Sequence, residues 1–303
     1  MERREISDLI VDYDDETLAR RPVARREVAE RFRAEGNARA ARIVEAMPAQ
    51  GGVLDPDAVD RLLVTVHAEM QRISEEFEHG RRAAELLASL LLALREAGEP
   101  APLRIVDVGC GTGYVIRWLA AHAGFHDVEL VGVDYNAALV TKAQRLAALK
   151  GLRCRFAVAN AFRLAEPATV FLSTGVLHHF RGDALVRFFA FHELDTARAF
   201  AHFDFQPGLL ASFGSWLFHA VRMRQPLSKH DGVLSAVRAH RPAALLDAAR
   251  RGCPSFQTSL YSTRLGSTPV PRAFASVIDV KPALRDALVR SLGPRASRLG
   301  GFR

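Results

Sequence analysis

Three glycines at alternate positions, Gly109, Gly111 and Gly113, follow the apolar run Ile105-Val106-Asp107-Val108, which carries one acid. A β-branched run, a glycine turn and the apolar stretch from Val115 to Ala121 together predict strand, turn and helix. That order places backbone N–H groups around a ligand at the carboxyl end of a parallel strand. Glycine suits such a turn because it tolerates positive φ and has no Cβ to hold a ligand off the backbone. A tight turn without any ligand would use the same residues. The spacing is one residue tighter than the dinucleotide loop G-x-G-x-x-G. A second acid, Asp134, ends the apolar run that begins at Val128. A carboxylate there can accept from both hydroxyls of a ribose, and it can equally cap a helix starting near Asn136. Imidazoles supply the proton chemistry. His178 and His179 follow a further apolar run, and His230 stands between Lys229 and Asp231. Each is a candidate base near neutral pH. The plainer readings are a loop hydrogen bond for the pair and a surface turn around Asp231-Gly232.

The pattern Asp107-x-Gly109-x-Gly111-x-Gly113 resembles the first motif of the class I S-adenosylmethionine-dependent methyltransferases. Val176-Leu177-His178-His179-Phe180 resembles the post-strand segment of the ubiquinone- and menaquinone-biosynthesis-type members. The resemblance spans residues 100 to 282. It implies S-adenosylmethionine as cofactor, with Gly109 and Gly111 passing close to its methionine part. Asp107 would help hold its ammonium and Asp134 its ribose. Cys110, Gly113, Tyr114, Tyr135, Ala161, Phe162 and Thr174 fall to the same site by the same resemblance. Where the family usually has an Asp for the adenine amino group, this chain has Asn160, whose amide oxygen accepts without charge. No metal is implied. The acceptor expected is a small, largely apolar molecule, phenolic, quinone-like or polyketide-like, methylated on oxygen or carbon. The Asn-Pro-Pro arrangement used on exocyclic base nitrogens is missing, and the chain has no Pro-Pro pair. Two alternatives remain: a methyltransferase acting on RNA or protein, and a non-catalytic S-adenosylmethionine-binding protein.

The elements that position these residues follow from periodicity. Residues 1–98 read as an all-helical N-terminal lid or extension, with helices over 16–34, 37–47, 57–70 and 74–97. Phe77-Glu78-His79-Gly80-Arg81 is the piece of it expected to face the site. Strand and helix then alternate through residues 99–282, which predicts a doubly wound, seven-stranded, mostly parallel sheet of the Rossmann-like methyltransferase type. His192, Glu193 and Asp195 read as surface on a helix over 183–197. A helical insertion after the fifth strand, about 207–240, is expected to cover the acceptor site. The last two strands, 255–262 and 273–280, are expected to finish the sheet in reversed sense. A tail, 283–303, carries a short helix and an Arg/Gly end expected to fray.

The chain has 303 residues, 41 Lys and Arg against 34 Asp and Glu, and a net charge of +7. That excess would suit nucleic acid. The arginines, however, are scattered among alanines with no aromatic-interleaved stripe, so a nucleic-acid partner is disfavoured. Three separated cysteines, Cys110, Cys154 and Cys253, form neither a zinc pattern nor a disulfide framework. The longest apolar block, Leu86 to Leu94, is far shorter than the roughly 18 residues of a membrane span. No hydrophobic signal region follows Met1, and the chain reads as cytoplasmic, with a homodimer through the N-terminal helices as its expected assembly.

Overall fold

Gly51 and Gly52, both at positive φ, turn the chain between strands β1 (Ala49–Gln50) and β2 (Val53–Leu54). The N-terminal region is therefore not all helical. The structure, a computed structural model, describes residues 4–164, 167–205, 207, 209–262 and 274–300. The first helix, α1, runs Arg25–Ala34 and so starts nine residues later than periodicity predicts. The Asp14 side chain accepts from the N–H groups of Glu16 and Thr17, and Leu18 sits at φ 56°. That local turn outcompetes the helix over 16–24. α2 (Ala38–Glu45) and α3 (Pro56–Glu76) follow, α2 capped by Asn37 through a bond from Ala40 N–H.

The chain divides into two compact units, Met1–Ile73 with Pro207–Arg238, and Ser74–Gln206 with Ala239–Arg303. The inserted segment thus belongs with the N-terminal helices in the first unit. Helix α4 (His79–Glu96) belongs to the second, where Leu86, Leu87, Leu90, Leu91 and Leu94 lie in its main core.

In that second unit come β3 (Leu103–Val108), α5 (Tyr114–His122), β4 (Val128–Asp134), α6 (Ala137–Ala148), β5 (Arg155–Val158) and β6 (Val170–Thr174). After α7 (Asp183–Ala190) runs β7 (Ala199–Phe205); the insertion contributes α8 (Leu209–Arg222) and α9 (Pro226–Arg238) to the first unit. α10 (Pro242–Gly252), β8 (Gln257–Ser262), β9 (Phe274–Val280), α11 (Arg285–Leu292) and β10 (Leu299–Gly300) complete the second. Five strands are parallel in the order β5-β4-β3-β6-β7, and β9 joins β7 antiparallel with β8 beyond it. Seven strands were expected; among the described residues the sheet has eight, because β10 pairs antiparallel with β8. The tail to Gly300 is therefore paired at the sheet edge, while residues 301–303 and Ala273 lie outside the described residues.

His192 is fully buried rather than on the surface, because α7 ends at Ala190 and the chain turns back into the core. Its Nδ1–H donates to Phe189 O at 2.9 Å, and its Nε2 lies 2.8 Å from Nε2 of the fully buried His202. His202 Nδ1 in turn accepts from Ser173 Oγ at 2.8 Å. Each ring nitrogen is thereby used by a neutral imidazole, among Phe171, Phe188, Phe191 and Phe200. Burial pushes His192 down to about 3, and burial together with His192 pushes His202 well below its ordinary value.

A depressed folded-state value means that the unfolded chain binds protons the folded chain refuses. Stability is therefore full above about pH 6.5 and falls as pH drops toward about 3, by about 1.4 kcal/mol per pH unit for each imidazole. Urea unfolding at pH 7.5, 6 and 5 measures this, and equal midpoints at all three would refute it.

Candidate functional site

The carboxyl ends of β3, β4 and β6 meet at the glycine loop. In register, Val108 pairs with Val133 and Asp107 with Leu172, so Asp107, Asp134 and Thr174 stand at neighbouring strand ends. Gly109, Gly111 and Gly113 all have positive φ, as the alternate glycines required. The loop is tied down by Val133 O, which accepts from the N–H groups of Gly109 and Cys110. Asp134 completes the tie: Oδ2 accepts from Gly111 N–H and Oδ1 from Asn136 N–H, each at 2.9 Å. The helix cap belongs to Asn136, whose side chain accepts from Ala138 and Leu139 N–H. Phe156 of β5 packs beneath the loop. A Cβ on Gly113 would collide with its ring, and one on Gly132 would come within 2.6 Å of it. Tyr114 opens α5 and packs half-buried on the core; Tyr135 is exposed. Asn160 Oδ1 accepts from Phe162 N–H at 2.9 Å, so one lone pair of the amide oxygen holds its own turn around Ala161.

Among the described residues, two oxygens in this cradle are buried without a hydrogen-bond partner, Asp107 Oδ1 and Thr174 Oγ1. Burial, with Asp134 nearby, pushes the Asp107 carboxyl well above the usual range. Burial also raises the Cys110 thiol, which argues against thiolate chemistry in the loop.

The turn after β6 closes on the loop, since Val176 Cγ2 lies 2.8 Å from where a Cβ on Gly109 would be. Two residues on, His178 is held by Asp204 at the end of β7. Its backbone N–H donates to Oδ2 at 2.8 Å, and its Nδ1 lies 2.9 Å from Oδ1. Asp204 also accepts from Phe205 N–H at 2.7 Å. Its burial works against the charge, but His178 and these N–H donors hold the carboxyl below its usual range. The His179 ring lies 4.4 Å from that of His178, centre to centre. His240 fastens the turn from outside. Its Nε2–H donates to Leu177 O and Phe180 O at 3.0 and 2.9 Å, and Arg181 approaches its Nδ1 at 3.3 Å. Burial and then Arg181 depress its basicity.

The His79 ring is pushed down to about 3 by burial and Arg82, while Asp204 opposes the shift. Gly80 lies against the indole of Trp118 on α5, where a Cβ would collide. Sequence reasoning missed His240 and Arg82. For Asp204 a signal existed, an acid near the end of an alternating strand.

His230 lies in the other unit and is corrected. The segment around it is helix α9 and not a turn. His230 Nδ1 lies 2.7 Å from Asp231 Oδ1, and Asn37 Nδ2 approaches Nε2 at 2.9 Å, so both ring nitrogens are used within that unit. Asp231 meanwhile accepts from Ile6 and Ser7 N–H at 2.8 and 2.9 Å. Arg238 pairs with Asp8, and Ser235 Oγ bonds Glu5. The polar cluster thus straps the N-terminal segment to α9, which leaves His230 no nitrogen for a substrate proton.

Residues 105–192 match a family described as a methyltransferase domain. A stretch of 86 residues is 35% identical to the ribosomal RNA small subunit methyltransferase C of Alcanivorax borkumensis, covering 28% of this chain and 25% of that protein. A stretch of the same length is 35% identical to the demethylmenaquinone methyltransferase of Thermus thermophilus, covering 28% and 38%. The matched stretches thus span well under half of either relative. Among solved structures, the plantazolicin methyltransferase BpumL, in complex with a monoazolic desmethylPZN analog and SAH, superposes with a TM-score of 0.52. That match is at 12% identity and covers 91% of this chain and 97% of that one. It shows the fold. Residues 105–192 are a methyltransferase domain of the S-adenosylmethionine-dependent kind, as the glycine loop implied.

The residues present fit that cofactor. It carries a cationic ammonium and sulfonium, ribose hydroxyls and an adenine. The cradle offers the Asp107 and Thr174 oxygens that have no partner among the described residues, the carboxylate of Asp134, and a loop without a Cβ at Gly109, Gly111 and Gly113. A cation placed beside Asp107 would favour its ionised form, so the expected outcome is proton release on cofactor binding and an affinity that rises with pH across the range where Asp107 titrates. Calorimetry in buffers of different ionisation enthalpy reads that proton. Asp107→Asn should abolish the release and weaken binding by about 1.5–3 kcal/mol. Proton-neutral binding by the unaltered chain would remove Asp107 from this role. Asp134→Ala should weaken binding by a similar amount, about 1.5–3 kcal/mol. It should also lower thermal stability, because Gly111 and Asn136 lose their acceptor.

Proposed function

We propose that this chain transfers a methyl group from S-adenosylmethionine to an oxygen or carbon of a small, largely apolar acceptor, with His178 as proton acceptor. The observation that carries the reading is the buried His178–Asp204 pair directly after the turn that closes on the glycine loop. S-adenosylmethionine, when bound, supplies an electrophilic methyl group. Asp107, Thr174 and Asp134 bind and orient it, and the buried Leu177 helps keep water from the turn. With Nδ1–H donating to Asp204, the ring atom that takes a proton is Nε2. The Asp204 carboxylate then stabilises the imidazolium, as in other His–carboxylate pairs. Aromatic neighbours suit a flat acceptor. Phe205 lies edge-on to His178 at 5.7 Å, and Phe162 meets Phe180 at 5.0 Å. The name of the Thermus thermophilus relative supports a quinone-like ring.

A second reading, methylation of RNA, draws on the ribosomal RNA enzyme among the relatives and on the net charge of +7. The lack of a Pro-Pro pair weighs against it. Turnover of S-adenosylmethionine with a panel of phenols and quinols, beside ribosomal RNA, separates the two readings. With the acceptor in hand, His178→Ala should lower kcat by roughly 10²–10⁴-fold, while cofactor affinity stays unchanged. Part of the rate should return near pH 10, where a phenol ionises unaided. Asp204→Asn should fall between the two. Full turnover by the His178 variant would exclude His178 as base and leave His179 as the candidate.

A further inference from the structure

The first unit holds a cavity of its own, of about 400 Å³, formed by α2, the start of α3 and the start of α9. That volume lies in the lower part of the range for small-molecule sites. Its wall is apolar, with Ile43, Met47, Leu62 and Leu227 among the lining side chains, and Leu227 and Met47 are buried. Two lining residues carry polar side chains, Arg61 and Gln225. Elsewhere in this unit arginines are committed: Arg20 to Asp60, Arg21 to Asp14, Arg25 to Met47 O and Arg238 to Asp8. Among the described residues the guanidinium of Arg61 has no ion pair and no side-chain hydrogen bond, and it is the one charged group of the lining. Gln225 uses its backbone N–H on Glu69, and its side-chain amide likewise has no partner among the described residues.

We propose that this cavity is a binding site for a small amphipathic carboxylate, whose apolar body fills the wall and whose anion pairs with Arg61. An apolar cavity open to water loses the free energy that filling it would recover, and a buried hydrocarbon body recovers it. Specificity then falls to the one cation at the mouth, since a guanidinium fork matches a carboxylate in two parallel bonds. The Gln225 amide is the second donor available to the same anion. The site is built from one unit alone and does not depend on the methyl-transfer reading.

The test is calorimetry on the full chain with 2-naphthoate and its neutral counterpart 2-naphthalenemethanol. The expected result is binding of both, the carboxylate more tightly. Arg61→Met should weaken 2-naphthoate about tenfold or more, the effect of losing a charge-assisted bond, and leave 2-naphthalenemethanol unchanged. Ala58→Trp, which places a ring inside the cavity, should remove both. S-adenosylmethionine affinity and the unfolding midpoint, measured on both variants, report that they are folded, and Leu62→Trp fills the cavity from a second position should Ala58→Trp fail to fold. Three results would overturn the proposal: no binding of either probe, equal loss of both probes in Arg61→Met, or undiminished binding in a folded, cavity-filled variant. If the proposal fails while S-adenosylmethionine still binds, the methyltransferase reading stands untouched.

Discussion

The carboxylate of Asp134 is the constraint on which the candidate site depends. Its two oxygens accept from Gly111 N–H and Asn136 N–H, so one side chain fixes both the loop after β3 and the entry to α6. Neither partner could be held by a neighbouring strand, because the loop lies beyond the end of the sheet ladder. The arrangement has an electrostatic cost. Two carboxyl groups, Asp107 and Asp134, are buried at adjacent strand ends, and burial first, then the charge of Asp134, raises the Asp107 carboxyl. A cationic ligand relieves that repulsion, so the geometry that builds the loop also selects the charge it accepts.

Around the glycine loop, the local features were legible in the sequence, whereas the Asp14 turn and the hairpin at Gly51-Gly52 were not. The glycines at 109, 111 and 113 and the apolar strands on either side act over a few residues and take the conformation their chemistry requires, while the cap read for Asp134 belongs to Asn136, two residues on. The pairing of His178 with Asp204 spans 26 positions. It depends on the parallel register that sets Thr174 opposite Phe203, one residue before Asp204. Sequence spacing carries no information on that register. His192 misled for a related reason. A histidine beside Glu193 at a helix end has the pattern of a solvated face; beyond the local Phe189 O, the partner of its ring is His202 arriving from β7, which Ser173 of β6 holds in turn.

His230 shows the opposite failure. An imidazole beside a carboxylate was legible as a pair, and the pair exists. What the spacing could not reveal is that the carboxylate serves backbone N–H groups of residues 6 and 7, more than two hundred positions away. Helix α4 was misplaced for want of a different signal. The run from Leu86 to Leu94 is apolar on more than one face, the mark of a helix packed between layers rather than laid over a surface. Ala83, Leu87 and Leu91 accordingly lie in the core of the second unit, with α11 and its Leu288 beside them.

The polar groups around the carboxyl ends of the sheet then separate into two kinds. Asp134, Asn136, Asn160, His178, Asp204 and His240 all have protein partners, and each removes a backbone or ring group from the count of unsatisfied atoms. Asp107 Oδ1 and Thr174 Oγ1 are buried and have none among the described residues. An unmet buried acceptor costs about 1–3 kcal/mol. The partnered set thus holds the turns and strand ends around the glycine loop. His178 belongs to it: its Nδ1 is spent on Asp204, and that bond sets the tautomer of the ring.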